Sequence, residues 1–129
     1  MREQTANNSV EFTVMGPPVP KARHRTYKGK AYTPKKTLDY EKLVAQHALR
    51  ARTFAHLRPF DGPVGLKVVV SFADKRRRDL SNVLKSLEDG MNKIIYDDDS
   101  QICEIHAYVQ HGQPHVKVSV WPINAETLT

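Results

Sequence analysis

Seven acidic residues lie between Asp74 and Asp99 in a chain whose formal net charge is +6. All but Asp74 fall into two blocks, RRRDLSNVLKSLEDG from Arg76 to Gly90 and YDDDSQ from Tyr96 to Gln101. Hydrolysis of a phosphodiester needs an ion to polarise the phosphoryl group and activate water. Magnesium asks for only a few carboxylates and keeps several waters, so two or three aspartates at one place suffice. Asp79 stands where a helix should start, and Asp99, with Asp98 beside it, stands just before a strand. Element ends of this kind are where sites are usually built. Each feature has a plainer reading: Asp79 as a helix N-cap, Asp97 to Asp99 as a solvated turn, and Lys85 as a solvated helix lysine. Arg76, Arg77 and Arg78 by themselves read as a solvated or phosphate-touching loop. The combination is what points to chemistry.

A second charge feature precedes these blocks. From Gly16 to Thr37 there are seven lysines and arginines and no acid. Lys21, Arg23, Arg25, Lys35 and Lys36 in this block, together with Arg76, Arg77 and Arg78, are candidate contacts to DNA phosphates. Such contacts set position rather than sequence preference. Tyr27 and Tyr32 interleave with the lysines, as aromatic residues do on nucleic-acid surfaces. A sequence pI near 9.6 makes nucleic acid the first expected partner and an acidic membrane surface the second. Six histidines are scattered without metal-ligand spacing. Of these only His24, inside the basic block, is a candidate for touching DNA.

The bulk numbers bound the rest. A chain of 129 residues is one domain by length. No apolar run is long enough for a membrane span, and the polar start MREQTANNS lacks the apolar stretch of a secretory signal. One cysteine, Cys103, makes neither an intrachain disulfide nor a zinc pair. The expected compartment is the reducing cytoplasm.

The elements that must position these residues follow from periodicity. Val10, Phe12 and Val14 alternate with polar residues and predict a strand over Ser9–Met15. Thr37 is the expected cap of a helix running to about Leu57, with Asp39 in its first turn. Leu66, Val68, Val70 and Phe72 predict a second strand. Leu80, Val83, Leu84, Leu87, Met91, Ile94 and Ile95 share one arc of a helix beginning after Asp79. Asn82, Lys85, Ser86, Asp89 and Lys93 fall on the opposite arc, and Gly90 is the weak point. Strands over Ile102–Gln110 and Val116–Trp121 follow, joined by the HGQPH turn. The expected fold is α+β, a single domain over residues 1–129 with a small mixed sheet packed by two main helices. Residues 1–8 and 123–129 are expected to be loose tails.

The two acidic blocks, with the opening GPPVPKARHR…KGKAYTPKKTLDYE, resemble the RusA family of Holliday-junction resolvases. That family carries a basic run, then D-x-D-N-x-x-K, an Asp some four residues on, and an acidic D-D-x-Q segment. The resemblance spans residues 16 to about 105. It implies a homodimeric endonuclease that nicks branched DNA, such as four-way junctions, with Mg2+, for which Mn2+ should substitute. It implies a place in recombination and repair. Asp79, Lys85 and Asp99 would be the catalytic residues, Asp79, Asp99 and Asp98 the metal ligands, and Asn82, Asp89 and Ser81 supporting residues. Ser81 departs from the pattern, because the family usually has a second aspartate there. A hydroxyl brings no negative charge, so the ion should bind more weakly. A weakened or inactive branched-DNA-binding protein of the same fold is the alternative that this departure leaves.

Asp89 stands ten residues beyond Asp79, about 15 Å along a helix, too far to share an ion with it. An uninterrupted helix from Leu80 to Ile95 would also hold Asp79 and Asp99 about 24 Å apart. Either the helix breaks near Gly90 and the chain folds back, or the two aspartates meet across the two-fold axis of a dimer. The unbroken apolar arc favours the second arrangement.

Overall fold

The computed structural model describes residues 8–23 and 25–124. His24 and the outer parts of both expected tails, residues 1–7 and 125–129, lie outside the described residues. Strands β1 (Val10–Met15), β4 (Val64–Phe72), β5 (Ile102–His111) and β6 (His115–Pro122) form a four-stranded sheet in the order β1-β6-β4-β5. Strands β2 (Arg25–Tyr27) and β3 (Lys30–Tyr32) form a separate hairpin. Helices α1 (Lys35–Phe54) and α2 (Leu80–Met91) complete the α+β domain.

β4 is the axis of the sheet. It pairs antiparallel with β6, from Val64↔Pro122 to Ser71↔His115, and parallel with β5, from Val64↔Ile102 to Phe72↔His111. Parallel neighbours cannot be joined by a tight turn and need a crossover, which α2 and the acidic loop supply. β5 and β6 are joined by the short turn that the sequence predicts, yet they are not neighbours: β4 lies between them, and the Gly112 N–H donates to the Phe72 carbonyl at 2.9 Å. One face of the sheet, formed by Val10, Phe12, Val14, Leu66, Val68, Val70, Val116, Val118 and Val120, packs into the core with Tyr40, Val44 and Ala48 of α1 and Val83, Leu87 and Met91 of α2. The β-branched residues suit the pleated face. The helices meet where α2 has no side chain. A Cβ on Gly90 would stand 2.8 Å from Val44 Cβ and 3.0 Å from the Glu41 carbonyl oxygen. Gly90 is therefore the point of close approach of α1 and α2, not a break.

Three local expectations change. Helix α1 starts three residues early, with Pro34 at the N-cap, and Thr37 is buried inside the first turn. The Thr37 hydroxyl faces the Pro20 carbonyl at 3.5 Å and the Ala22 N–H at 3.4 Å, so it ties down the preceding segment instead of capping the helix. Ser86, on the arc expected to be polar and exposed, is fully buried. Its hydroxyl meets the Val19 carbonyl at 2.7 Å and the Val83 carbonyl at 2.8 Å. Ile123, expected in a loose tail, is buried, and its N–H donates to the Pro63 carbonyl at 2.9 Å.

The end of α2 matters most for the site. The helix stops at Met91, four residues before the apolar arc ends, because the last two apolar residues serve a reversal rather than another turn. The N–H groups of Ile94 and Ile95 both reach the Met91 carbonyl at 3.0 Å, and Lys93 takes a left-handed φ of 70°. The Ile95 carbonyl accepts from Phe60 N–H, and the Ile94 carbonyl from the Arg52 guanidinium, each at 2.8 Å. Ile95 and Tyr96 are fully buried. Their periodicity fits a helix, but their burial is achieved in a turn.

Candidate active site

Because the chain reverses after Met91, the acidic loop retraces α2. Tyr96 Oη donates to the Glu88 carbonyl at 3.0 Å, and three residues later Asp99 Oδ2 accepts from Lys85 Nζ at 3.1 Å. Three residues of loop thus cover three residues of helix. The arrangement expected from an uninterrupted helix is corrected: one chain brings Asp99 to α2 unaided, and no partner is needed to carry it there.

Asp79 is the N-cap of α2. Its Oδ1 accepts from the Ser81 N–H at 3.0 Å and the Asn82 N–H at 3.4 Å, and its Oδ2 accepts from Asn82 Nδ2 at 3.2 Å. The helix start therefore orients the carboxylate, and Asn82 holds it from one side. Ser81, Lys85 and Asp89 follow at i, i+4 and i+8, which places them on one stripe of the helix. Lys85 Nζ lies 3.4 Å from Asp89 Oδ1 as well as 3.1 Å from Asp99. The Asp99 hydrogen bond raises the Lys85 pKa; partial burial works against this and the Asp89 charge works with it. The ammonium is thus firmly protonated. Asp89 in turn meets Lys21 Nζ at 3.0 Å, and Lys21 meets Glu41 at 2.7 Å.

The acidic loop has its own clamp. Asp98 caps a short 3-10 turn over Asp99–Gln101, with Oδ2 accepting from the Ser100 N–H at 3.0 Å. The Ser100 hydrogen bonds hold the Asp98 carboxyl below its usual pKa. Gln101 Oε1 accepts from the N–H groups of Asp97 and Asp98 at 2.9 and 3.1 Å, and Gln101 Nε2 donates to the carbonyls of Phe60 and Gly62 at 2.8 and 2.9 Å. Sequence reasoning assigns Gln101 no task, although Asp98-x-x-Gln101 has the spacing of a capping box. It also misses Glu88. Burial raises the Glu88 pKa, Lys85 opposes, and the charges of Asp99 and Asp89 raise it further.

The basic residues divide into two groups. Lys21 is bound into the two helices by its ion pairs, and its N–H donates to the Asn82 carbonyl at 2.8 Å. The strong pairs with Glu41 and Asp89 outweigh the desolvation that would lower its pKa, and the pKa rises. Arg78 pairs with Asp74 at 2.9 Å and lies 4.4 Å from the Phe72 ring centroid, an arrangement that holds the Asp74 carboxyl below its usual pKa. Lys35 pairs with Asp39 at 2.6 Å on the exposed side of α1. Arg23, Arg25, Lys36, Arg76 and Arg77 are exposed. Lys36, Arg76 and Arg78 share the rim of a hollow of about 440 Å³ with Pro17, Phe72 and Pro114, and Arg77, Arg78, Asp79 and Ser81 line an adjoining one. The cations thus border the Asp79 end of α2.

Among the described residues no three His, Cys, Asp or Glu side chains converge to enclose an ion. Asp79 and Asp99 each accept hydrogen bonds but, with about four lone-pair sites per carboxylate, keep capacity to spare. That donor set suits a hydrated magnesium ion held by one or two carboxylates and the substrate phosphate, not a closed all-protein cage. Among the described residues no helix is long and apolar enough to cross a membrane.

Residues 15–121 match the family model described as Endodeoxyribonuclease RusA. No curated protein matches the chain.

Proposed function

The chain belongs to the RusA endodeoxyribonuclease family, and from that premise we propose that it is a metal-dependent endonuclease that nicks Holliday junctions and related branched DNA. The observation that carries this reading is the fold-back of the acidic loop along α2, which sets Asp99 against Lys85 on the helix that Asp79 caps. In this reading Asp79 and Asp99, with Asp98 adjacent, hold Mg2+ or Mn2+. The ion would supply polarisation of the phosphoryl group and a more acidic water. Asn82 keeps the Asp79 carboxylate turned outward, and Gln101 keeps the loop from withdrawing Asp99. Lys85 offsets charge developing on the scissile phosphate, while Asp89 steadies its ammonium. Arg23, Arg25, Lys36, Arg76 and Arg77 hold phosphates of the junction arms. The natural setting of this reading is recombination and repair in the cytoplasm.

Paired nicks call for two copies, and we propose a homodimer. β5 supports it. It is a ten-residue edge strand with Ile105, Tyr108 and Val109 about half exposed, and it lacks the lysines and prolines that usually guard an edge. Incubation with a four-way junction and with linear duplex, with and without magnesium, tests the activity. Magnesium-dependent nicks confined to the junction are expected. A shifted band without nicks would leave the binding protein that Ser81 allows; neither nicks nor a shift would overturn the assignment.

A further inference from the structure

The β2–β3 hairpin is segregated by chemistry. Its register pairs Arg25 with Tyr32, Thr26 with Ala31 and Tyr27 with Lys30. Directly opposed residues share a face, so one face carries Arg25, Tyr27, Lys30 and Tyr32 and the other only Thr26 and Ala31. The connection is a two-residue turn in which Lys28 and Gly29 both have positive φ, 51° and 79°, as in a type I′ hairpin. All six strand residues are exposed, with Tyr27 at 67% and Tyr32 at 45%. Lys28 Nζ stands 5.5 Å above the Tyr27 ring.

Burial does not explain these tyrosines, because neither face of the hairpin packs on the core. Nor does phosphate binding alone, for which the lysines and arginines would suffice. A ribbon with two aromatic rings between cations on one face matches a surface that tracks a backbone while stacking on bases. Its base is fastened to the helices of the candidate site: the Lys21 N–H donates to the Asn82 carbonyl at 2.8 Å, the Ala22 N–H meets Thr37 Oγ1 at 3.4 Å, and α1 begins three residues after Tyr32.

We infer that the β2–β3 ribbon is a DNA-contacting arm that recognises unstacked bases, with Arg25 and Lys30 on phosphates and Tyr27 and Tyr32 stacked on bases not enclosed in a duplex. It deepens the reading above and rests on it for the class of ligand. Linear duplex shields its base faces, whereas a single strand or the crossover of a branched molecule offers them. The arm therefore contributes to preference for DNA structure, not sequence.

The test is equilibrium binding of the full chain to labelled single-stranded oligothymidine, a four-way junction and linear duplex. Stacking on two rings predicts that Tyr27→Ala/Tyr32→Ala weakens single-strand and junction binding by at least about thirtyfold. Duplex binding should change little. Tyr27→Phe/Tyr32→Phe should bind like wild type, because the ring stacks without its hydroxyl. Arg25→Ala/Lys30→Ala should instead flatten the salt dependence, by about 0.7 log units per log salt for each single-strand phosphate that is no longer neutralised. Equal weakening on all three DNAs, or no weakening on any, would overturn the inference. If wild type nicks junctions while the tyrosine variants bind normally, only the arm falls. If wild type binds no DNA, the nuclease reading falls with it.

Discussion

Replacing Gln101 tests whether the acidic loop must be held against α2. In Gln101→Ala four hydrogen bonds disappear, two accepted from Asp97 and Asp98 N–H and two donated to the Phe60 and Gly62 carbonyls. The first pair is exposed, so water replaces it at little cost. The second pair is partly buried, and at about 1 kcal/mol for each bond removed the destabilisation is about 2 kcal/mol. For a chain of 129 residues that corresponds to a fall in Tm of roughly 8 °C. Nicking should fall further than stability explains, because a released loop no longer presents Asp99 to Lys85. At a temperature where the variant is fully folded, junction binding should persist while turnover drops at least about tenfold, or about 1.4 kcal/mol in the barrier. Gln101→Glu keeps the acceptor for the Asp97 and Asp98 N–H groups but sets a carboxylate against two carbonyls, so it should be less stable than the alanine variant. Urea unfolding and single-turnover nicking measure both arms. A Gln101→Ala protein within about 0.5 kcal/mol of wild type that nicks at the wild-type rate would refute the reasoning.

Ser81→Asp adds a carboxylate in the first turn of α2, where the helix dipole favours it by about 0.3–1 kcal/mol; a magnesium titration of nicking should show a lower midpoint and thermal unfolding a slightly higher Tm. Mixed Asp79→Asn and Asp99→Asn chains should stay inactive after subunit exchange if the proposed site takes both aspartates from one chain, the arrangement that the fold-back of the acidic loop favours, and recovered nicking would show that the two aspartates are shared between chains. Ile105→Lys/Val109→Lys should sediment as a monomer if β5 is the contact between copies. Glu88 has a raised pKa in the folded chain, so its contribution to stability is full below the unfolded carboxylate pKa and is lost as pH rises through the folded value. Glu88→Gln should accordingly gain stability over wild type as pH rises from about 4 to 7, as read from unfolding midpoints across that range.

Much of this site was legible because its signals are local. Asp79 caps a helix by the chemistry of its own side chain and the next three residues, and the i, i+4 stripe of Ser81, Lys85 and Asp89 follows from helical spacing alone. The alternation in β1 and the apolar run in β4 were likewise readable, since burial on one or both faces writes itself into period two. Where the helix stops was not. Ile94 and Ile95 continue the apolar arc although the reversal is set by Lys93 in a left-handed conformation and by bonds from Phe60 and Arg52, more than thirty residues away in sequence. Thr37 has the residue type of a cap, but Pro20 and Ala22 claim its hydroxyl. Lys21 looked like the other basic residues of its block, and only the approach of Glu41 and Asp89 sets it apart. The hairpin had a local signal in Lys28-Gly29, flanked by two short stretches with no apolar alternation to mark them as strands.

The fold-back also accounts for acidic residues gathered in a basic protein. Glu41, Asp79, Glu88, Asp89, Asp98 and Asp99 gather around α2 and the acidic loop; among the described residues Lys21 and Lys85 pair with Glu41, Asp89 and Asp99, and Lys93 acts on Asp98 from further off. Helix and turn N–H groups hold the Asp79 and Asp98 carboxylates in place without neutralising them. The raised pKa of Glu88, due first to burial and then in part to Asp99 and Asp89, shows that the surplus is felt. A scissile phosphate brought to this face would meet repulsion, which falls away only when a cation joins the carboxylates. Arg77 borders the Asp79 end of that patch, and in the proposed nuclease it holds the DNA arms together with Arg23, Arg25, Lys36 and Arg76 whether or not the cation is present. In the proposed nuclease, binding and cleavage thus have different electrostatic requirements. DNA affinity should survive removal of divalent cations, while close approach of the phosphate to Lys85 should not.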